Sequence, residues 1–527
     1  MTLNGKTNIL GAALPVMMIP LLAAQEADAR KRPNIIHIMS DDHSYQAISA
    51  YGHPLSSQAP TPNIDRIASE GVRFDRAYVE NSLSTPSRAC LMTGLYSHQN
   101  GQKTLGRGID TSKVFVSEIL QSHGYQTGVI GKWHMKCEPK GFDFYHVFKD
   151  QGEYYDPGFK SKDSEGKYIR EEGYSTDLVT EHAVDFIQQR DTTKPFCLFV
   201  HHKAPHRNWL PELEYLNLYE DVDFPLPETF YDDYEGRGEA ARKQRMHIGD
   251  DMLMIYDLKA VQLAGSMPPS EDWQYESIEN ALSTLSKQER KIWTDAYLAQ
   301  NAGYAEGKVP DEALAEWKYQ RYVKDYLRCI RSVDDSVGEI LKALEDEGIL
   351  DETVVVYTSD QGFYMGEHGW FDKRFMYEES FRTPLVVRYP AMSGGVVSDA
   401  LVQNLDFAPT YLDIAGIEVP EFMEGLSLKP LLENEGAEPR KWRKYLYYHF
   451  YDNSGGHNVS KHDGVSDGRY KLIHFYGPEG SYDELYDLKN DPHELRNVID
   501  APDCRKARAR LTKTLDRFRK RLKVNEF

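Results

Sequence analysis

Two apolar segments of the chain each end in oxygen-bearing side chains. Residues 34–39 and 353–358 have the length and composition of buried strands. A pair of adjacent aspartates is by itself as readily a turn or a helix N-cap. Two such loops together favour a metal site, because carboxylate and amide oxygens suit a hard cation, Ca²⁺ rather than Mg²⁺. The candidate metal ligands are Asp41, Asp42, Asp360 and Gln361.

A third segment, residues 84–94, carries a candidate nucleophile. Its sequence, Ser-Thr-Pro-Ser-Arg-Ala-Cys-Leu-Met-Thr-Gly, is typical of a loop that enters a helix. Ser84 would then lie at a helix N-terminus, where backbone N–H groups stabilise an anion, with Arg88 one turn further on. The alternative is a plain helix start capped by Ser84 or Thr85. The segment alone leaves both interpretations open.

The same segment resembles a motif of the sulfatases of the alkaline-phosphatase superfamily. That motif is Cys or Ser, any residue, Pro, any residue and Arg, followed shortly by Thr-Gly. Five further segments resemble the family in the same order, so the resemblance covers the chain from about residue 33 to its end. They are Gly-Lys-Trp-His at 131–134, Lys-Ala-Pro-His at 203–206, Ser-Asp-Gln-Gly at 359–362, Asp-Lys-Arg at 372–374 and Glu-Leu-Tyr-Asp-Leu at 484–488.

The resemblance implies a mechanism and a set of catalytic residues. In this family the first motif residue is oxidised to formylglycine, which for a serine implies a radical maturase as partner. One hydroxyl of the aldehyde hydrate attacks sulfur, and the second later expels sulfate. One Ca²⁺ and three cationic side chains stabilise the charge. A protonated His206, with Lys373, would protonate the departing sugar oxygen, and His134 would deprotonate the second hydroxyl. The residues that match are Ser84, Arg88, Lys132, His134, His206 and Lys373.

The segments 202–209 and 370–374 resemble bacterial N-acetylglucosamine-6-sulfatases in particular. This predicts a sulfated carbohydrate substrate, a glycosaminoglycan or mucin glycan, from which a 6-O-sulfate is removed at a non-reducing end. A carboxylate and a guanidinium beside the sulfate could fix the sugar ring. The candidate substrate-binding residues are Asp372 and Arg374, together with His457 and His462 of an expected polar loop at 456–462, which could equally be a solvated loop without a role.

Two other functions remain open at this point. The first is a phosphodiesterase, phosphonate hydrolase or phosphatase of the same superfamily, which would use Ser84 directly. Such relatives generally hold two metals and carry Asp-His where this chain has Asp360 and Gln361, which disfavours the second metal. The other alternative is a catalytically silent glycan-binding protein in which Ser84 is never oxidised.

The elements that must position these residues alternate between strands and helices. This alternation predicts an α/β fold with a large mixed, mostly parallel sheet sandwiched by helices, and the resemblance implies an alkaline-phosphatase-like arrangement. We expect a catalytic domain over 33–440, with an insertion at about 208–316 that lies over the strand ends. The pattern of strands followed by a helix over residues 441–527 predicts a smaller C-terminal α+β subdomain.

Composition excludes several classes of protein. The 527 residues carry a net charge of −20, which argues against nucleic-acid binding, and 12% aromatic residues argue against disorder. Residues 1–29 have the pattern of a secretory signal, cleaved between Ala24 and Ala29, which predicts a periplasmic protein without a membrane span. The five cysteines are widely spaced and predict no disulfide framework, although one bridge stays possible.

Overall fold

The computed structural model describes Met1 and residues 32–390, 392–453, 456–477 and 480–527. The expected signal peptide therefore lies outside the described residues, apart from Met1. No helix in the described ranges has the length and apolar composition needed to cross a membrane. All five cysteines are described, and none forms a disulfide.

A ten-stranded sheet forms the centre of the molecule. Its strand order is β11-β2-β10-β9-β1-β8-β4-β5-β6-β7, and a short pair, β12 with β3, lies beside it. The run from β9 to β5 is parallel, while β10, β6 and β7 pair antiparallel with their neighbours. The expected mixed, mostly parallel sheet is confirmed. The strands are β1 (Asn34–Ser40), β2 (Val72–Phe74), β3 (Ala77–Tyr78), β4 (Gln126–Gly131), β5 (Phe144–Phe148), β6 (Gly158–Ser161), β7 (Ile169–Arg170), β8 (Phe196–His201), β9 (Thr353–Ser359), β10 (Leu385–Arg388), β11 (Val396–Ser398) and β12 (Val402–Gln403).

Helices follow most of the strands. The longest, α11, contacts α5 and α1, and short helices occupy much of the stretch between 208 and 316. The helices are α1 (Pro62–Ser69), α2 (Ser84–Thr93), α3 (Ser97–Asn100), α4 (Val116–Ser122), α5 (Ser175–Gln189), α6 (Glu239–Lys243), α7 (Ile248–Asp251), α8 (Asp272–Ala281), α9 (Lys287–Gln300), α10 (Ala302–Ala305), α11 (Leu314–Asp346), α12 (Glu378–Phe381), α13 (Phe407–Ile414), α14 (Lys429–Leu432) and α15 (Arg505–Leu522).

The central sheet is buried on both faces. Successive side chains of a strand point to opposite faces, and helices cover each face. On β1, Ile36 and Ile38 pack with α1, α5 and α11 in one apolar core. Ile35 and Met39 pack with α2, α4 and α13 in a second core on the other face. This explains why the strands are apolar throughout rather than alternating. It also leaves the strand ends as the place where polar side chains can converge.

A separate antiparallel sheet follows near the C-terminus. It consists of β13 (Leu446–Phe450), β14 (His462–Ser466), β15 (Tyr470–Phe475) and β16 (Tyr482–Asp487), paired in that order. Helix α15 packs on one face through Leu511 and Leu515. The expected C-terminal α+β subdomain is confirmed. The sequence did not indicate β14, since Asp463 and Gly464 disfavour a strand; pairing with β13 and β15 on both sides overrides that local preference.

Candidate active site

The chemistry-bearing side chains follow four neighbouring strands. β9, β1, β8 and β4 are parallel, so their carboxyl ends share one edge of the sheet. Asp41 follows β1, Asp360 follows β9 and Lys132 follows β4, while His206 lies in the loop after β8. Ser84 arrives from another direction, as the first residue of α2. Residues distant in the sequence therefore meet at one place.

The four candidate metal ligands form one buried group. The backbone N–H of Asp42 donates to Oδ1 of Asp360 at 3.1 Å, which ties the two loops together. The amide nitrogen of Gln361 donates to Oδ1 of Asp42. Ligand atoms of Asp41, Asp42 and His206 also lie within 4.8 Å of one another.

This group fits a hard cation. Burial raises the pKa of Asp42 to about 6, against the opposing effect of Lys373, so its carboxylate needs positive charge nearby. The Oε1 atom of Gln361 is buried, and no donor reaches it among the described residues. Carboxylate and amide oxygens are the ligand set that Ca²⁺ prefers. A cation held there would both neutralise the carboxylates and satisfy that oxygen.

Ser84 faces this group. Its hydroxyl donates to Oδ1 of Asp41 at 2.9 Å, and the side chain is buried. The residue begins a ten-residue helix, so the positive end of the helix dipole lies beside it. Ser84 makes no capping hydrogen bond, since the N-cap position belongs to Leu83 and no side chain caps the helix. Capping therefore does not explain a serine at this position.

Three buried cationic side chains surround the same carboxylates. Arg88 lies 3.0 Å from Oδ2 of Asp360 and 3.4 Å from Oδ2 of Asp41. The ammonium of Lys132 contacts Asp41. The remaining member of this group is Lys373, whose Nζ lies 2.6 Å from Oδ2 of Asp42. Three buried carboxylates thus balance three buried cations, and an added metal ion would make the site an anion receptor.

The two predicted proton-transfer histidines lie at the edge of this cluster. Nδ1 of His134 is 3.2 Å from the hydroxyl of Thr85, next to the nucleophile position. Burial, together with Lys132 and Arg88, lowers the pKa of His134 to about 2. Nε2 of His206 lies 3.9 Å from Oδ2 of Asp42. Burial and the neighbouring lysines also hold the pKa of His206 well below its usual value.

This protonation state differs from the expectation of a protonated His206. In the site as described, both imidazoles are neutral near pH 7, because burial and nearby cations disfavour a further positive charge. A neutral imidazole can accept a proton. His206 can donate one only when an anion in the pocket favours its charged form.

A polar group beside the cluster contains three of the four predicted substrate-binding residues. Oδ1 of Asp372 is 3.2 Å from Nε of Arg374, and its Oδ2 is 3.3 Å from Nε2 of His457. Burial alone would raise the pKa of Asp372, but His457, Arg374 and Lys373 hold it below its ordinary value. Residues 374 and 457 are far apart in the sequence, and only the tertiary structure brings them together.

His462, the fourth predicted substrate-binding residue, is not brought to this group. It is the first residue of β14 and is fully buried, stacked with Tyr448 and Phe450. Its Nε2 lies 3.1 Å from the backbone N–H of Met376, and its Nδ1 lies 2.8 Å from the carbonyl of Ser460. Both ring nitrogens are therefore engaged within the protein. The expectation of a polar loop at this position fails because the chain there pairs as a strand.

The structure also adds residues that sequence reasoning missed. The side-chain oxygen of Gln151 accepts a hydrogen bond from the ammonium of Lys132, and no local pattern marks this glutamine. Burial lowers the pKa of Lys203 to about 8. This lysine directly precedes the Ala-Pro-His segment, and that position could have identified it from the sequence. Arg207 forms a bidentate pair with Asp257 at 2.7 Å for both bonds and lies 3.4 Å from His457.

Comparison with known proteins gives a consistent result. A sequence profile of the sulfatase family matches residues 33–417, and a profile of the N-sulphoglucosamine sulphohydrolase C-terminal region matches residues 366–521. The chain is 44% identical to the N-acetylglucosamine-6-O-sulfatase of Bacteroides thetaiotaomicron, over 99% of this chain and 92% of that protein. It is 25% identical to human N-acetylglucosamine-6-sulfatase, over 82% of this chain and 69% of that protein.

Solved structures extend the comparison. A structure in complex with its substrate D-glucosamine-2-N,6-O-disulfate matches with a TM-score of 0.89 and 45% identity, covering 94% of this chain and 99% of the other. The phosphonate monoester hydrolase of Agrobacterium radiobacter matches with a TM-score of 0.63 and 20% identity, covering 93% and 96%. That second likeness concerns the fold alone.

The sheet, its helical layers and the polar cluster at the strand ends define a hydrolase of the alkaline-phosphatase-like superfamily. Within that class, the chain belongs to the sulfatase family, since the family profile covers most of its length. It is therefore a sulfuric ester hydrolase.

Proposed function

We propose that this protein is an exo-acting carbohydrate sulfatase that removes 6-O-sulfate from N-acetylglucosamine or a related N-acetylhexosamine of glycosaminoglycan or mucin glycans. The observation that carries the proposal is the Ser84 hydroxyl, directed at Asp41 where buried cations converge. The substrate class is supported by the 44% identical relative and by the solved complex with a disulfated glucosamine.

We further propose that Asp41, Asp42, Asp360 and Gln361 hold one Ca²⁺. The bound ion would supply positive charge that polarises a sulfate oxygen in the water-poor pocket. The chain itself contributes Arg88, Lys132 and Lys373, whose side chains are fixed by the buried carboxylates before substrate arrives. Preorganised charge of this kind stabilises a transition state at little reorganisation cost.

The nucleophile we propose is Ser84 oxidised to formylglycine. Formylglycine at this position would supply, as the hydrate of its aldehyde, two hydroxyl groups on one carbon, one as the nucleophile and one that can release sulfate, whereas an unmodified serine has only one. The helix N-terminus and Asp41 position that group. A radical maturase would carry out the oxidation, and we infer export to the periplasm from the signal-like residues 1–29.

Proton transfer falls to the two histidines. His134, neutral and beside Thr85, is placed to accept a proton near the nucleophile. We assign His206 to the departing sugar oxygen. Its imidazole becomes protonated when an anionic sulfate ester enters, because the anion offsets the lysines that lower its pKa. Lys373 lies beside Asp42 and shares this role.

Asp372, Arg374 and His457 form the proposed sugar-orienting group. A carboxylate accepts from two hydroxyls while a guanidinium donates, so the group fixes a ring in one orientation. We expect Asp372→Asn to lower kcat/KM on a 6-sulfated N-acetylglucosamine by about 10²-fold or more, while a small aryl sulfate is affected by less than about tenfold. Equal losses on both substrates would contradict the assignment.

The experiment that tests the proposed function is sulfate release from saccharides sulfated at position 6, 4, 3 or 2, presented at a chain end or internally. A bis-nitrophenyl phosphodiester serves as the comparison for the related phosphoester hydrolases. We expect turnover on the terminal 6-sulfated sugar above all others. Preference for another position, for an internal residue or for the phosphodiester would refute the proposal.

Protein from its native host provides a test of the modification. Mass spectrometry of the peptide containing Ser84 should show a loss equal to two hydrogen atoms. Protein made without the maturase should keep the serine mass and be inactive. Full activity with an unmodified serine would overturn the formylglycine mechanism.

A further inference from the structure

A second group of metal-ligating side chains lies outside the active site. Nε2 of His146 is 2.6 Å from Oε1 of Glu171, and Nε2 of His182 is 2.7 Å from Oε2 of the same carboxylate. One ligand atom from each residue lies within 4.8 Å of the other two. The carboxylate thus bridges the two imidazole nitrogens, and the three side chains form one compact group.

Three separate elements hold this group. His146 is in the middle of β5, His182 is on α5, and Glu171 directly follows the edge strand β7. The backbone N–H of Glu171 donates to the carbonyl of Pro157 at 3.1 Å, which anchors the carboxylate. The ring of Phe159 packs against both imidazoles, with centroid distances of 4.5 and 5.4 Å. The ligand orientations are therefore set by the fold.

The two imidazoles lie close together beside the carboxylate. The imidazole centroids are only 3.9 Å apart, so two protonated rings would repel each other. Among the described residues, the polar side-chain atoms of these three residues hydrogen-bond only to one another. They do not serve a larger hydrogen-bond network.

We propose that His146, Glu171 and His182 form a second cation site, for a transition metal of the zinc type. Two imidazole nitrogens and a carboxylate oxygen suit zinc far better than calcium. The three side chains are between 16 and 27% exposed, so a water molecule can reach the fourth coordination position. On binding, the proton of each neutral histidine moves from Nε2, where it faces the carboxylate, to Nδ1, so that the Nε2 lone pair and the freed carboxylate oxygen bind the metal.

A metal at this position would connect the edge of the central sheet to α5. β5, β7 and α5 have no other shared polar cluster of this composition in the described ranges. Because the site forms only in the folded chain, metal binding must stabilise the fold. The site shares no ligand with the catalytic cluster, so stabilisation of the fold by the metal should not depend on catalysis.

The test uses the full chain, stripped of metal by a chelator, dialysed, and saturated with Ca²⁺ before zinc chloride is added. Bound zinc is measured by elemental mass spectrometry, and the melting temperature is recorded in parallel. We expect the wild type to bind one more zinc per chain than His182→Asn or Glu171→Gln. We also expect zinc to raise the melting temperature of the wild type but not that of these two variants. Cobalt in place of zinc should give the visible absorption of a low-coordinate nitrogen–oxygen site.

The matched control is His123→Gln, which removes an exposed histidine at the end of α4. This variant should retain the extra zinc and the thermal shift. Glu171→Gln keeps the side-chain size, His182→Asn shortens a side chain that is only part-buried, and the fold and sulfate release should therefore persist at room temperature. Equal zinc in all four proteins, or a wild-type melting temperature that zinc leaves unchanged, would overturn the proposal.

Discussion

Ser84 makes one side-chain hydrogen bond, to Asp41, and packs at the start of a helix that it does not cap. Replacing it by alanine should therefore remove the nucleophile without unfolding the protein. We expect Ser84→Ala to lower sulfate release by about 10³-fold or more, with a melting temperature close to that of the wild type. Turnover is measured on a 6-sulfated N-acetylglucosamine.

Ser87→Ala is the matched control for that variant. Ser87 is on the same helix and is buried like Ser84, but its hydroxyl accepts from the amide of Asn404 at 2.9 Å instead of facing the carboxylates. It should retain activity within about tenfold of the wild type. Comparable losses in the two variants would mean that the helix, and not the nucleophile, had been damaged.

Removal of the proposed Ca²⁺ tests the buried carboxylates. A chelator should abolish activity and lower the melting temperature, because Asp41, Asp42 and Asp360 then face one another with less compensating charge. Asp360→Asn should reduce activity by about 10²-fold or more, and its melting temperature should respond little to chelator. A chelated wild type with full turnover and unchanged melting temperature would contradict the proposed calcium site.

At the scale of secondary structure, the end of β4 approaches the end of β8 too closely for a side chain. Gly131 has φ of +88°, and a Cβ atom built there would lie 2.1 Å from the carbonyl oxygen of His201. The next residue, Lys132, donates its backbone N–H to the same oxygen at 2.8 Å. We expect Gly131→Ala to separate the two strand ends, displace Lys132, and lower both activity and the free energy of unfolding, the latter by about 2–4 kcal/mol.

Gly124→Ala separates the clash from the backbone strain. Gly124 has a similar φ of +91°, but nothing lies within 4 Å of the position its Cβ would take. The free energy of unfolding of this variant should fall only by the cost of a left-handed conformation, about 1–2 kcal/mol. Its activity should be retained. Chemical denaturation measures the free energy of unfolding of both variants. If the two variants lose equal stability and both stay active, close approach at Gly131 does not position the site.

At the scale of the whole molecule, Glu80 lies where the C-terminal sheet meets the catalytic part. Its carbonyl accepts from the backbone N–H of His449 on β13 at 2.9 Å, and its carboxyl group is fully buried against Ser97. Burial raises the pKa of Glu80 to about 8, although hydrogen bonds from Ser97 oppose the shift. The folded protein therefore binds a proton that the unfolded chain releases near pH 4.5.

The sign of the pH dependence follows from that difference. The stabilising contribution is fully present below the unfolded pKa and is lost as pH rises through about 8. We expect Glu80→Gln, which is neutral at every pH, to melt several degrees above the wild type at pH 9 and to match it at pH 5. Melting curves across this range provide the measurement. A difference that does not grow with pH would show that the carboxyl stays ionised in the fold.

The strand-and-loop pattern shows how far local sequence predicts structure. The largely apolar runs that form β1, β4, β8 and β9 are recognisable because a strand buried on both faces has few polar positions. β14 was not recognisable, because His462 and Gly464 gain their strand conformation from neighbours on either side. The same pairing explains why His462 was assigned to a polar loop and is in fact buried among aromatic rings.

The sequence by itself determined the fold class, the sulfatase motif around Ser84 and the residue types that surround it, because these depend on local periodicity and short spacing. Only the tertiary structure decided which distant side chains meet. The contact of Asp372 with His457, the burial that keeps His206 neutral, and the bond from Lys132 to Gln151 each join separate elements. Distance, burial and charge between such elements are set by packing, and no local pattern encodes them.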